Sequence, residues 1–387
     1  MKLCPVSAWT IAAGVFSAGL VLGAEPSPAR VWFGTYTGAS SKGIYVSSLD
    51  LVTGALAAPT LAAESPNPSF LALHPNGRFL YAVNEVGTFA GKPGGSVSAF
   101  AVDPATGRLR ALNQQGTLGG GPCHLTVDPP GRNVLVANYG GGSVTAIGLA
   151  PDGSLGPVGS HIQHVGSSVN RQRQEAPHAH GIYLDAAGRI ALVPDLGLDR
   201  VFFYRLDAER HALSAAEPQP FASVKPGAGP RHLAFHPNGG FLYVINELNS
   251  TITAFAWDAA QGSLRELQTV ATLPPDFTGD NTTAEIAVHP GGRSLYASNR
   301  GHNSLAVFSL NPATGRLAIL QHQSTLGRTP RSFALAPGGA FLLAANQDSH
   351  EVVAFRVDAA SGRLSPAGST VALGAPVCVL FAPDPGR

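Results

Sequence analysis

The stretch Pro230-Arg-His-Leu-Ala-Phe-His-Pro-Asn-Gly-Gly-Phe-Leu-Tyr-Val-Ile-Asn246 decides the fold. Arg231 to His236 alternates and is apolar enough for a buried strand. His236 to Gly240 carries the Pro, Asn and Gly that tight turns need. Phe241 to Ile245 is β-branched and aromatic, which suits a pleated surface. The same unit begins again at Pro68, Pro122, Ala179, Thr283 and Pro330, 46 to 57 residues apart, and a truncated seventh copy begins at Pro376. Sixteen residues after the first six starts stand Asn84, Asn138, Asp195, Asn246, Asn299 and Asn346. A period of this length marks a repeat architecture.

Beyond Asn246 the unit continues. Thr251 to Trp257 alternates as a third strand, Asp258 to Ser263 is a turn, and Leu264 to Thr272 reads as an outer strand. Ser96–Leu112, Ser304–Leu320 and Glu351–Ala367 repeat that order, twice with near-identical turns, Asp103-Pro-Ala-Thr-Gly-Arg and Asn311-Pro-Ala-Thr-Gly-Arg. Four antiparallel strands without helical periodicity form a propeller blade, so the fold class is all-β, a seven-bladed β-propeller. The last copy has only its first strand. Val31–Thr35, Gly43–Ser48 and Leu56–Leu61 supply strands two to four, so the chain ends share one blade and few sheet edges stay open.

The 387 residues fit one such domain, expected over residues 25–387. A net charge of +1 gives no reason to expect nucleic acid or an anionic membrane surface as partner. Residues 1–24 differ: Lys2 precedes a mostly apolar run from Val6 to Gly23, ending in Leu22-Gly23-Ala24. That pattern reads as a signal peptide, hence an exported, periplasmic or secreted protein with no membrane attachment once it is removed. A retained membrane anchor is the alternative. Cys123 and Cys378 stand in non-adjacent blades, one residue apart in register, and are expected to stay unpaired thiols.

Antiparallel pairing brings the start of each first strand to the same rim as the end of the second. Residues one, two and seventeen after each start therefore converge there. They include Cys123, His180, Arg231 and Arg331; Phe70, His124, His232 and Glu285; and Glu85, Tyr139, Glu247, Arg300 and Gln347. Convergent Arg, His and Glu make an anion-binding, acid–base site. His180, Glu247, Arg231 and Arg300 are the catalytic candidates because they break the repeat consensus. Arg331, His232, Glu285, Arg173 and His178 are candidate substrate-binding residues, with Arg331 and Glu285 open to an inter-blade ion-pair role instead. The long connection from Gly159 to Pro177 ends at this rim, where Asn170, Arg173 and Gln174 are placed to close over a ligand. The repeated Asn, and His74, His236 and His289 of the far-rim turn, read as structural. No metal is expected among side chains mixed with so many cations, and no cofactor.

Gly227-Ala-Gly-Pro-Arg-His-Leu-Ala-Phe-His-Pro-Asn, Val244-Ile-Asn-Glu-Leu-Asn-Ser, Arg171-Gln-Arg-Gln-Glu-Ala-Pro-His-Ala-His, Ser298-Asn-Arg-Gly-His-Asn-Ser, and Pro330-Arg-Ser-Phe with Ala345-Asn-Gln resemble the seven-bladed lactonase family of 6-phosphogluconolactonases. The resemblance runs from about Val31 to Pro383. It implies metal-independent hydrolysis of a small-molecule sugar-acid lactone, and kinship with carboxymuconate cyclases; the protein itself is expected to be a monomer. The His, two Arg and Glu attributed to that cyclase site fall on His180, Arg231, Arg300 and Glu247. On this reading His180, with an imidazole pKa near 6.5, or Glu247 activates water. Arg231 and Arg331 grip the lactone's acidic tail, and Arg300 steadies the oxyanion. The export signal separates the chain from the cytoplasmic pool of phosphorylated sugars. An isomerising lyase using the same residues, and a non-catalytic exported binding propeller, are the other readings.

Overall fold

The computed structural model describes residues 1–2 and 28–383. The signal peptide expected over residues 1–24 therefore lies outside the described residues but for Met1 and Lys2. Within them the chain is all-β: seven sheets in a ring, each ordered first strand to fourth strand from the inside out. Blade four, for example, is Pro230–Phe235, Phe241–Asn246, Thr251–Asp258 and Ser263–Ala271. Pro376–Phe381 pairs antiparallel with Ala29–Thr35, followed by Gly43–Leu49 and Thr60–Glu64, so the two ends of the chain do complete one blade. The fourth strand of that blade sits later than Leu56–Leu61, because Leu56 makes only a single bridge to Leu49.

The second strands are buried on both faces, which is why they read as unbroken apolar runs. In blade four, Leu242 and Val244 pack toward blade three while Tyr243 and Ile245 pack toward blade five. Seven apolar clusters of this kind, one between each pair of neighbouring blades, close the ring. The far-rim turns add polar ties. His236 Nδ1 accepts from Asn238 N–H at 3.0 Å, so its Nε2 carries the proton and donates to Gly292 O of the next blade at 2.9 Å. His74 and His289 repeat this at Gly131 and Gly339. Tyr243 donates to Gly315 O at 3.1 Å. Gly315 has φ +69° and a Cβ there would come within 2.5 Å of Phe241, so glycine is required.

The repeated Asn side chains are buried and cross-tie the blade. Asn246 Nδ2 donates to Thr251 and Thr253 hydroxyls, and Asn84 Oδ1 accepts from Ser96 and Ser98. Cys123 and Cys378 are free and buried.

Blade three departs from the four-strand expectation. Its first strand is only Tyr183–Leu184 plus a bridge from Ala179 to Asp195. Pro194, in the facing strand, has no N–H to extend the ladder. Its outer strand is in two pieces, Ala212–Ala215 and Phe221–Ser223, parted by a segment containing Pro218 and Pro220.

Candidate active site

In blades two, four and six the register slips at the start of the first strand, leaving Cys123, Arg231 and Arg331 as unpaired extra residues. A bulge at a sheet end re-aims its side chain, so two successive residues turn into the channel where a regular strand sends one. Blade five does the same around Ala284 and Glu285.

The result is a pocket of about 280 Å³ on this rim, lined by Glu85, Cys123, Tyr139, Arg173, His180, Glu247, Thr282, Arg300 and Arg331. Its volume suits a single small ring. Glu247 is the hub. Its Oε1 accepts from Arg173 Nη2 at 2.7 Å, and its Oε2 lies 2.8 Å from Arg300 Nη2 and 3.0 Å from Arg231 Nε. Burial pushes this carboxyl up, but Arg300, Arg231 and Arg173 outweigh it and bring it down to about 2. Arg300 also donates to Thr283 O at 2.8 Å and Arg231 to Ala284 O at 2.6 Å.

His180 is 5% exposed. Its Nε2 lies 3.9 Å from Glu247 Oε2 and its Nδ1 lies 3.6 Å from Cys123 Sγ. Burial, then the charges of Arg231, His232 and Arg331, holds this imidazole well below 6.5. That corrects the ordinary imidazole value expected from sequence: the ring is neutral to lower pH. Cys123, His180 and Glu247 stand in a row like a thiol catalytic triad, but burial pushes the Cys123 thiol far up, which disfavours a thiolate nucleophile there.

The sequence candidates separate into three groups. Arg173, His180, Glu247, Arg300 and Arg331 line the pocket. Arg231, 2% exposed, stands behind Glu247 and is committed to it, so it is not the free tail clamp expected. Arg331 is the guanidinium with no hydrogen-bond acceptor among the described residues; it sits 5.3 Å from the Tyr36 ring centre. His232 and Glu285 do not line this pocket. They bond to each other below it, His232 Nδ1 to Glu285 Oε1 at 3.0 Å, a tie between blades four and five. His178 is also set back: it stacks on Tyr139 at 4.5 Å and its Nδ1 contacts Tyr139 O. Asn170 and Gln174 shape the loop, with Gln174 bonding Leu196 O, and only Arg173 reaches the pocket.

Tyr36 was not among the candidates, yet its hydroxyl donates to Glu85 Oε2 at 2.9 Å at the pocket wall. The signal for it crosses the chain ends. Pro376 pairs with Thr35, so Thr35 takes the place of the repeated Asn and Tyr36 that of Glu85, Tyr139 and Glu247. Glu85 and Tyr139 were in the rim register but not singled out. Among the described residues no cluster of three His, Cys, Asp or Glu is placed to hold a metal ion.

Residues 30–381 match the family described as lactonase, 7-bladed β-propeller. The chain is 39% identical over 350 residues to a 6-phosphogluconolactonase of Bacillus subtilis (strain 168), covering 90% of this chain and 97% of that one. A 6-phosphogluconolactonase of Formosa agariphila is 32% identical over 268 residues, 69% of this chain and 74% of its own. The solved structure of the Pseudomonas aeruginosa periplasmic gluconolactonase superposes with a TM-score of 0.86 at 36% identity, over 92% of this chain and 99% of that one. This chain is a lactone-hydrolysing enzyme and belongs to the seven-bladed β-propeller lactonase family.

Proposed function

We propose that the rim pocket opens an unphosphorylated aldonic-acid lactone, with His180 as the base. The observation that carries this is the 3.9 Å gap between His180 Nε2 and Glu247 Oε2. With the imidazole proton on Nδ1, beside Cys123 Sγ at 3.6 Å, Nε2 and Oε2 are both acceptors, and a water donating one hydrogen to each is held with a lone pair free to attack a lactone carbonyl. Glu247, held at about 2, is too weak a base to take the proton, so it passes to His180. Arg300 faces the same pocket and stabilises the oxyanion. Glu247 fixes the arginines and the water.

Arg331 then meets the far end of the substrate. Among the described residues it has no acceptor for its guanidinium, and it shares the pocket with Glu85. That donor–acceptor pair suits the hydroxyls of a sugar chain, whereas a phosphate dianion would face the Glu85 carboxylate. The likeness to the Pseudomonas aeruginosa periplasmic gluconolactonase supports the same substrate class. It also supports export, together with the apolar run ending at Ala24. Mass spectrometry of the mature protein is expected to find an N-terminus at or near Glu25; an intact Met1 refutes export. The substrate is tested by pH-stat on paired lactones with and without a 6-phosphate. Faster turnover of the phosphorylated member overturns the assignment.

A further inference from the structure

Beneath the pocket floor lies a second, much smaller chamber of about 10 Å³, lined by Ser69, Phe70, Glu85, Cys123, Arg231, His232, Glu285, Arg331 and Val377. It shares Glu85, Cys123 and Arg331 with the pocket above. Its size is that of one water. Ser69 Oγ, buried on its wall, has no hydrogen-bond partner among the described residues.

Glu285 is the acidic group of this chamber that no step so far uses. Its Oε1 accepts from Ile286 N–H at 3.0 Å, which makes it an acceptor toward His232 Nδ1 as well, also at 3.0 Å. His232 therefore donates, and Oε2, with no hydrogen-bond partner among the described residues, is the oxygen free to carry a proton. We propose that Glu285 and His232 form a second acid–base pair of the site, coupled to the pocket through a single chamber water, and that Glu285 protonates the leaving ring oxygen. This rests on the hydrolytic reading above.

The step balances. Water bonds to the carbonyl carbon and gives one proton to His180. The tetrahedral intermediate collapses, the bond from carbon to ring oxygen breaks, and that oxygen takes a proton from the chamber water. Glu285 Oε2–H replaces that proton. The imidazolium of His180 returns its proton through pocket water to Glu285, and the product acid ionises to solvent.

The environment fits the role. Arg231 and His232 face Glu285 from blade four, with His124 from blade two, Tyr183 from blade three and Cys378 from blade seven. Burial raises the Glu285 carboxyl to about 7 against the pull of Arg231. His180 is pushed the opposite way, so their usual order inverts and the carboxyl becomes the weaker acid of the two, as a proton donor and a base in one site require. A raised carboxyl stays protonated up to its pKa, so the donor is present below pH 7 and lost above it.

The test compares wild type and Glu285→Gln on glucono-1,5-lactone, whose alkoxide needs a proton to leave, and dihydrocoumarin, whose phenolate does not. Expected is a kcat loss of roughly 10²-fold on the first, at least tenfold greater than on the second, with loss of the alkaline limb near pH 7. His232→Phe removes a donor that favours the ionised carboxylate and is expected to move that limb to higher pH. Equal losses on both substrates with a lowered Tm mean a packing role and overturn the proposal, as does an alkaline limb retained in Glu285→Gln. An infrared carboxyl band that is present at pH 6, lost at pH 8 and absent in Glu285→Gln checks the proton itself; no such band overturns the proposal independently. Full activity in His180→Asn brings down the hydrolytic reading instead, a different result.

Discussion

Replacing Glu247 with Gln removes the one negative charge that three guanidinium groups share. The carboxyl lies at about 2 in the folded protein against an ordinary 4.5. A tenfold change in acidity corresponds to about 1.4 kcal/mol, so ionised Glu247 contributes on the order of 3 kcal/mol at neutral pH. Removing one member of a buried ion pair costs about 3–5 kcal/mol by a separate route, and the two agree. In a chain of this size that lowers Tm at pH 7 by roughly 5 °C or more. A depressed carboxyl gives stability that is present above its unfolded pKa and lost as pH falls through the folded one. The Tm gap between wild type and Glu247→Gln is therefore expected to narrow steadily from about pH 5 to pH 2. Calorimetry across that range measures it. Arg173, Arg231 and Arg300, freed of their counter-ion, are expected to bind gluconate more tightly while kcat falls. A Tm gap equal at pH 7 and pH 2.5, or none at pH 7, refutes the hub.

Arg331→Gln removes the guanidinium that lacks a protein acceptor, and is expected to raise KM at least tenfold, about 1.4 kcal/mol, with little change in Tm; unchanged kinetics remove Arg331 from the substrate. His236→Ala breaks the far-rim tie to Gly292 O at 2.9 Å. It is expected to cost about 1–3 kcal/mol of stability and leave KM unchanged, as thermal melts and steady-state kinetics on one variant will show.

The fold was legible because the repeat states it several times over. The offset from Pro230 to Asn246 fixes strand, turn and strand, and six copies fix the ring. What stayed hidden was local. Pro194, Pro218 and Pro220 broke blade three where the repeat alone promised continuous strands. Of the residues in the rim register, Glu85, Cys123, Tyr139, His180, Glu247, Arg300 and Arg331 come together in one pocket, since antiparallel pairing brings those strand ends to the same rim. The register did not separate Arg331, free at the wall, from Arg231, committed to Glu247, because the bulges that aim them leave no mark in the residue pattern. Nor did it show that His232 and Glu285 turn downward to each other. The pKa of His180 was beyond reach for a related reason: it depends on burial and on charges from blades four and six, which only the closed ring assembles.

His180 is the residue on which the proposed chemistry turns. The decisive measurement is kcat and kcat/KM of wild type and His180→Asn on an aldonolactone from about pH 3 to pH 8, with Tm taken on the same preparations. If the imidazole is the base, kcat falls by roughly 10²–10⁴ while the fold persists. The acidic limb of the wild type, which lies below 6.5 because the ring is buried among cations, disappears. A variant that melts earlier yet turns over lactone at the wild-type rate, with the acidic limb intact, contradicts the account.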